Sequence, residues 1–153
     1  MGDFYSGHNK FDWAMVVYNS FSLFAPEVAP VVLQRIHRSL RPSGRLFLDL
    51  DNKSFNYRYG CSDTNRCIWP GGLTLQEVCF HADSSVEVCR DLIVRTNAEQ
   101  VEEFTIFKRI YSQDEISGLL SSCGFQIDAI YGDWNLSPLE ENSSKMLLVS
   151  VKK

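Results

Sequence analysis

The sequence lacks any long apolar run. Its most hydrophobic stretch, Trp13 to Tyr18, falls far short of the roughly 20 residues a membrane-spanning helix needs, so insertion in a bilayer is not expected. It also lacks an excess of positive charge: 15 Lys and Arg stand against 19 Asp and Glu, for a net charge of -4. The basic residues are dispersed, and without a basic stripe a nucleic-acid partner is not expected. The 5 cysteines form an odd set without a CxxC pair, and nothing at the N-terminus reads as a signal peptide. A reducing cytoplasm is therefore the expected compartment. Cys61 and Cys67 with His81 fall short of four ligands at a recognised spacing, so no zinc site is expected. Cys79 and Cys89, nearly opposite each other across a short break, read as small packing residues rather than a redox pair. Internal repeats and low-complexity tracts are absent too. What is present is 153 residues with 44% apolar content, enough for one ordinary core and a single domain spanning 1–153.

The segment Phe11-Asp12-Trp13-Ala14-Met15-Val16-Val17-Tyr18 is continuously apolar rather than alternating, as in a strand covered on both faces. It is expected to be a central parallel strand. Beyond Asn19-Ser20-Phe21 the apolar residues Ala29, Leu33, Ile36 and Leu40 fall at helical spacing, with Pro26 and Pro30 confined to the start, where proline is tolerated. His37, Arg38 and Arg41 suit the negative end of the helix dipole, and Pro42-Ser43-Gly44 stops the helix. A second apolar strand, Arg45 to Leu50, follows at once. Strand, helix and strand with tight connections make a βαβ unit with a right-handed crossover.

From Asn52 to about Pro70 the sequence is polar and rich in turn residues, which predicts a loop or lid. Three extended runs follow, Leu73 to His81, Val86 to Thr96 and Val101 to Tyr111, and their short polar breaks predict an antiparallel meander. In the third run Phe104, Ile106 and Ile110 share a face expected to pack, opposite Glu103, Thr105 and Arg109 on a face expected to meet solvent or ligand. Ser112-Gln113-Asp114-Glu115 is a capping-box pattern that opens a helix. Ile116, Leu119, Leu120 and Cys123 supply its apolar stripe, and Gly124 suits its end. Strands are expected at Phe125 to Tyr131 and Lys145 to Val151, with a polar loop between them. The fold class is α/β with an antiparallel β insertion.

Several landmarks, in order, resemble the later motifs of class I S-adenosylmethionine-dependent methyltransferases: Gly2-Asp3-Phe4, Phe11-Asp12 opening a strand, Leu40-Arg41-Pro42-Ser43-Gly44-Arg45-Leu46, and Tyr111-Ser112 through Cys123-Gly124-Phe125. A tail similar to Tyr131-Gly132-Asp133-Trp134 followed by Ser143-Ser144-Lys145 occurs in small-molecule members of that family. The resemblance implies a partial Rossmann-like sheet made of family strands 4, 5, 7 and 6, the seventh antiparallel. Residues 1–51 and 112–153 would form the methyltransferase core and 52–111 the insertion. It implies S-adenosylmethionine as cofactor and methyl transfer to a small-molecule substrate. The glycine-rich turn and the acidic residue that hold the methionine and ribose in the family have no counterpart, since Gly71-Gly72 follows a polar loop and opens no helix. The chain is thus expected to be the C-terminal part of an enzyme. The alternative is a non-catalytic, truncated module that dimerises or pairs with another chain. With family strand 1 missing, the strand at Trp13 to Tyr18 would be an unpaired edge, a template for association with a second copy or an upstream half.

The resemblance places Asp3 against the adenine amino group and Phe4 against its ring. Tyr18, Asn19, Ser20 and Phe21 sit at the carboxyl end of a parallel strand, where open α/β sheets place their ligands. Tyr18, Asn19 and Ser20 are expected on the cofactor side and Phe21 on the substrate side, with Asn19 placed to orient a nucleophile or to serve in turn chemistry. Methyl transfer needs alignment and exclusion of water more than a dedicated base. His81 is the candidate proton acceptor if there is one, an exposed hairpin histidine otherwise. Arg109 is read as binding an acidic acceptor group or as a plain exposed arginine. Trp134 is read as an aromatic wall of the acceptor pocket or a packed loop residue.

Overall fold

The computed structural model describes residues 9–60, 63–97 and 100–153. Strand β1 (Phe11–Val16) leads through a single 3-10 turn (Ser20–Leu23) to helix α1 (Ala29–Ser39) and strand β2 (Leu40–Asp51). Helix α2 (Lys53–Tyr59) precedes a meander of β3 (Asp63–Trp69), β4 (Gly72–His81), β5 (Val86–Arg95) and β6 (Glu102–Arg109). Helix α3 (Gln113–Ser122), β7 (Phe125–Tyr131) and β8 (Lys145–Lys152) complete the chain.

The strands form two sheets, one ordered β1-β2-β8-β7 and the other β3-β4-β5-β6. In the first, β1 and β2 are parallel, and β8 runs antiparallel to both β2 and β7. The alternation of a strand sends Leu46, Leu48 and Leu50 to one face, where they are enclosed with Ala29 and Leu33 of α1, Ile116 and Leu120 of α3, and Met146 and Leu148 of β8. Pro30 lies in the first turn of α1, and His37 and Arg38 occupy its last turn. Ser112 and Glu115 close the expected capping box at the start of α3.

Three expectations need correction. β1 is not central but the edge that the missing family strand implied: among the described residues it pairs only with β2, and its outward alternation leaves Trp13 51% and Met15 63% exposed. It also stops at Val16, short of Tyr18. An apolar run records a preference for burial, and among the described residues no strand pairs with the free edge of β1. The polar stretch after Asn52 is not a loop. Asn52 caps α2 by accepting from the Ser54 amide at 3.1 Å, and β3 forms because it pairs along β4 from Asp63–Val78 to Trp69–Gly72. Pairing with an existing strand edge overrides weak local propensity. Of the three residues expected to pack in the third run only Ile110 is buried, while Phe104 and Ile106 remain exposed, because nothing among the described residues covers the middle of β6.

Candidate functional site

The carboxyl ends of β1 and β2 converge on a polar cluster. After β1 the chain turns through Tyr18 and Asn19, both in left-handed backbone conformation (φ 57° and 54°), which asparagine tolerates better than most residues. Two contacts to Asp49 anchor the turn: the Tyr18 amide donates to its Oδ2 at 2.8 Å and the Asn19 amide to its backbone carbonyl at 3.2 Å. The Asn19 side chain donates to Asp51 Oδ2 at 2.5 Å, and accepts from Ser22 Oγ at 2.6 Å and the Asp51 amide at 3.3 Å. Lys145, opposite Asp51 in the β2–β8 ladder, donates to Asp51 Oδ1 at 2.7 Å and lies 3.6 Å from Asp49 Oδ1. Partial burial works to lower the Lys145 pKa, but the hydrogen bond to Asp51 and the charges of Asp51 and Asp49 prevail and raise it. Asp49 is buried, and its Oδ1 has no hydrogen-bond donor.

A second cluster joins the insertion to the core. Glu115 accepts from the Ser112 amide at 2.7 Å, Lys53 Nζ at 3.0 Å and Arg109 at 2.8 Å. Desolvation pushes its carboxyl upward, but the Ser112 amide and the two cations outweigh it and hold the pKa at about 2. The Arg109 guanidinium lies 5.9 Å from the Tyr111 ring, and that ring lies 5.8 Å from Phe21. Burial raises the Tyr111 phenol pKa, and its hydroxyl has no partner.

The β7–β8 loop stands at the same end of the sheet. Asn52 Nδ2 ties it down through the carbonyls of Glu140 and Ser143, at 3.0 and 2.8 Å. Gly132, Asp133, Ser137, Glu140 and Ser143 line a cavity of about 350 Å³ there. Trp134, 58% exposed, rests against Phe47 at 5.7 Å between centroids.

The structure gathers Tyr18, Asn19 and Ser20 with Asp49, Asp51 and Lys145. Their polar groups are largely committed internally, Ser20 Oγ to the Val17 carbonyl at 2.7 Å. What this turn presents outward is the Tyr18 ring, 90% exposed. A cofactor would find an aromatic wall and backbone carbonyls here rather than a full set of donors. Phe21, expected on the substrate side, is fully enclosed in the core. Arg109, expected on a face free for ligand, is tied to Glu115. His81 is exposed and shares a sheet face with Val86 and Arg109, away from the buried Phe80, Glu87 and Cys89, so it is not brought to the cluster. Asp3 and Phe4 lie outside the described residues. Asp49, Asp51 and Lys145 were not singled out from the sequence, although two aspartates alternating at the end of an otherwise leucine-rich strand are a visible signal.

Strand order β1-β2-β8-β7 with an antiparallel β8, helices on one face and an inserted meander define the α/β fold of class I S-adenosylmethionine-dependent methyltransferases. No protein-family model matches the sequence, and no curated protein matches it. Solved structures do. The CcbJ methyltransferase from Streptomyces caelestis matches 96% of this chain and 63% of its own at 9% identity and a TM-score of 0.79. An S-adenosylmethionine-dependent methyltransferase from Clostridium acetobutylicum matches 94% of this chain and 59% of its own at 11% identity and 0.79. The sugar N-methyltransferase KedS8 from a Streptoalloteichus species matches 99% and 59% at 14% identity and 0.68. At such identities the likeness is one of fold, and the chain spans less than two thirds of each of these structures.

Proposed function

We propose that this chain forms the acceptor-side part of a site that transfers a methyl group from S-adenosylmethionine to a small-molecule acceptor. The observation that carries the reading is the polar cluster at the carboxyl ends of β1 and β2, in a fold shared with methyltransferases over nearly the whole chain. Ligands of open α/β sheets bind beyond those strand ends. The cofactor supplies an electrophilic methyl; the acceptor's lone pair forms the new bond as the carbon–sulfur bond breaks. The work of the chain is alignment and exclusion of water. Asp51 and Lys145 fix Asn19, and Asn19 with Asp49 fixes the turn that carries the exposed Tyr18 ring. Trp134 on Phe47 and the β7–β8 loop wall the acceptor side. A sugar is a reasonable acceptor class, given the named activity of KedS8.

Most contacts to the cofactor must then come from a segment that adds a strand beside β1. The outward face of the sheet favours an upstream α/β segment over a second copy paired edge to edge. A two-fold pairing of β1 with itself is antiparallel and keeps α1 and α3 of both copies on the same side, leaving Trp13 and Met15 uncovered. A partner bringing a parallel strand and helices covers both the edge and that face. The second reading, a non-catalytic module, draws on the same exposed edge. Amide chemical shifts measured with millimolar S-adenosylhomocysteine separate the two. Shifts centred on Tyr18, Asn19 and Ser20, lost in Tyr18→Ala, are expected. An unperturbed spectrum at that concentration refutes a cofactor contact at this turn and favours the module.

A further inference from the structure

The inserted meander carries one row of side chains unlike the rest of its surface. Ladder partners share a face of a sheet, and residues two apart along a strand share it too. The face on which α2 packs has Phe80 and Glu87 at its inner end, where Tyr57 meets Phe80 at 5.3 Å between ring centroids and Asn56 donates to Glu87 at 3.2 Å. Two residues further out Val78, Cys89 and Ile106 continue that face. Two further again, the register aligns Asn65, Gln76, Asp91 and Phe104, one from each strand. Gln76 Nε2 donates to Asp91 Oδ1 at 2.9 Å. Gln76 and Asp91 are half-buried, and Phe104 is 50% exposed. Within the meander, ion pairs among the described residues join Arg90 to Glu77 and Glu103, Arg95 to Glu102 and Lys108 to Glu87, and none reaches Asp91.

We propose that this row binds a neutral glycosyl group. A face made for packing is apolar throughout, and a face made for solvent pairs its charges across strands, as Arg90 does with two glutamates on the opposite face. A lone carboxylate and two carboxamides beside an exposed ring do neither. After bonding each other, Asp91 keeps its Oδ2 as an acceptor and Gln76 keeps its oxygen and one N–H. These groups stand on neighbouring strands about 4.8 Å apart. Adjacent sugar hydroxyls donate to the carboxylate, in the stronger, charge-assisted kind of hydrogen bond, and accept from the amide. Phe104 stands directly opposite Asp91 in the ladder, so the C–H face of the same sugar ring lies against the negative face of the phenyl ring. Asn65, at the far end of a row roughly 14 Å across, offers a second amide to a longer ligand. A phosphate or other anion meets the unpaired carboxylate, and an apolar ligand strips water from it without return. A neutral ligand rich in hydroxyls does neither. The assignment rests on the methyl-transfer reading only in taking this sugar for part of the acceptor; binding itself uses no residue of the strand-end cluster.

Amide chemical shifts test the proposal, recorded with the methyl glycosides of glucose, galactose, xylose and N-acetylglucosamine, each to about 50 mM. Shifts centred on Gln76, Asp91 and Phe104 are expected with at least one of the four, at a dissociation constant of about 1–10 mM for a ligand of that size. Phe104→Ala and Asp91→Asn should each weaken binding by about fivefold or more and leave the far-ultraviolet circular dichroism unchanged. Phe107→Ala, on the opposite face, should leave binding intact. An unperturbed spectrum with all four glycosides overturns the proposal, as does binding that survives both substitutions in the row or shifts centred elsewhere in the chain. Shifts of Tyr18, Asn19 and Ser20 with S-adenosylhomocysteine are a separate titration, so either assignment can fail without the other.

Discussion

Asn19 is the residue on which the strand-end cluster turns, and replacing it tests the construction of the site. Its side chain takes part in three hydrogen bonds, to Asp51 Oδ2, from Ser22 and from the Asp51 amide. Each contributes about 0.5–1.5 kcal/mol net. Ser22 is 2% exposed, and leaving its buried hydroxyl without an acceptor costs about 1–3 kcal/mol. Alanine must also hold the left-handed backbone at φ 54°, at about 1 kcal/mol. With partial relaxation and some replacement by water, Asn19→Ala should lose about 3–4 kcal/mol of folding stability. Glycine loses the same bonds but tolerates the backbone. Its own unfolded-state entropy returns part of that advantage, so Asn19→Gly should cost about 2–3 kcal/mol. Urea unfolding followed by tryptophan fluorescence measures both. A loss below about 1 kcal/mol for alanine, or glycine more damaging than alanine, would refute the reasoning.

Glu115, with its pKa held at about 2, contributes stability that is complete above the ordinary glutamate pKa near 4.5 and is lost as pH falls toward 2. Its side chain is 35% exposed, so solvent screening reduces the contribution to about 1–2 kcal/mol. Glu115→Gln should flatten the stability profile over that window in acid titrations of unfolding. Lys145→Met removes the cation between Asp49 and Asp51 and should cost about 2–4 kcal/mol at neutral pH, read as a lower thermal midpoint with the Asn19 and Asp51 amide resonances displaced. Gly124→Ala should cost about 2 kcal/mol, because φ is +86° there and a Cβ would lie 2.8 Å from His37 Nε2; an unchanged urea midpoint would contradict this.

Much of the framework was legible in the sequence. The helical spacing of Ala29, Leu33 and Ile36, the capping box at Ser112 and the alternating runs around 73–81 and 86–95 are local signals, and local signals suffice for local structure; the stop expected at Pro42-Ser43-Gly44 was misplaced, since α1 ends at Ser39 and those residues lie in β2. The order of motifs carried the fold class. The candidate site was legible only in part. The turn after β1 marked one end of it, but Asn19 meets Asp51 across 32 residues and Asp51 meets Lys145 across 94. No local pattern states that convergence, which follows from the β1–β2–β8 register.

Tertiary structure alone decided the rest, and each case has the same cause. A run such as Trp13 to Tyr18 records how apolar a segment is; read alone it suggested a covered strand, and only the motif order, with family strand 1 missing, pointed to the edge that the sheet shows. The polar residues after Asn52 encode neither α2 nor β3 strongly. Asn52 fixes the helix by capping it while holding the β7–β8 loop, and β4 supplies the ladder that makes β3 a strand. Arg109 read as a free cation because its counter-ion, Glu115, lies beyond the turn into α3. Sequence set the elements and their order; packing set which faces were left open and which charges were already paired.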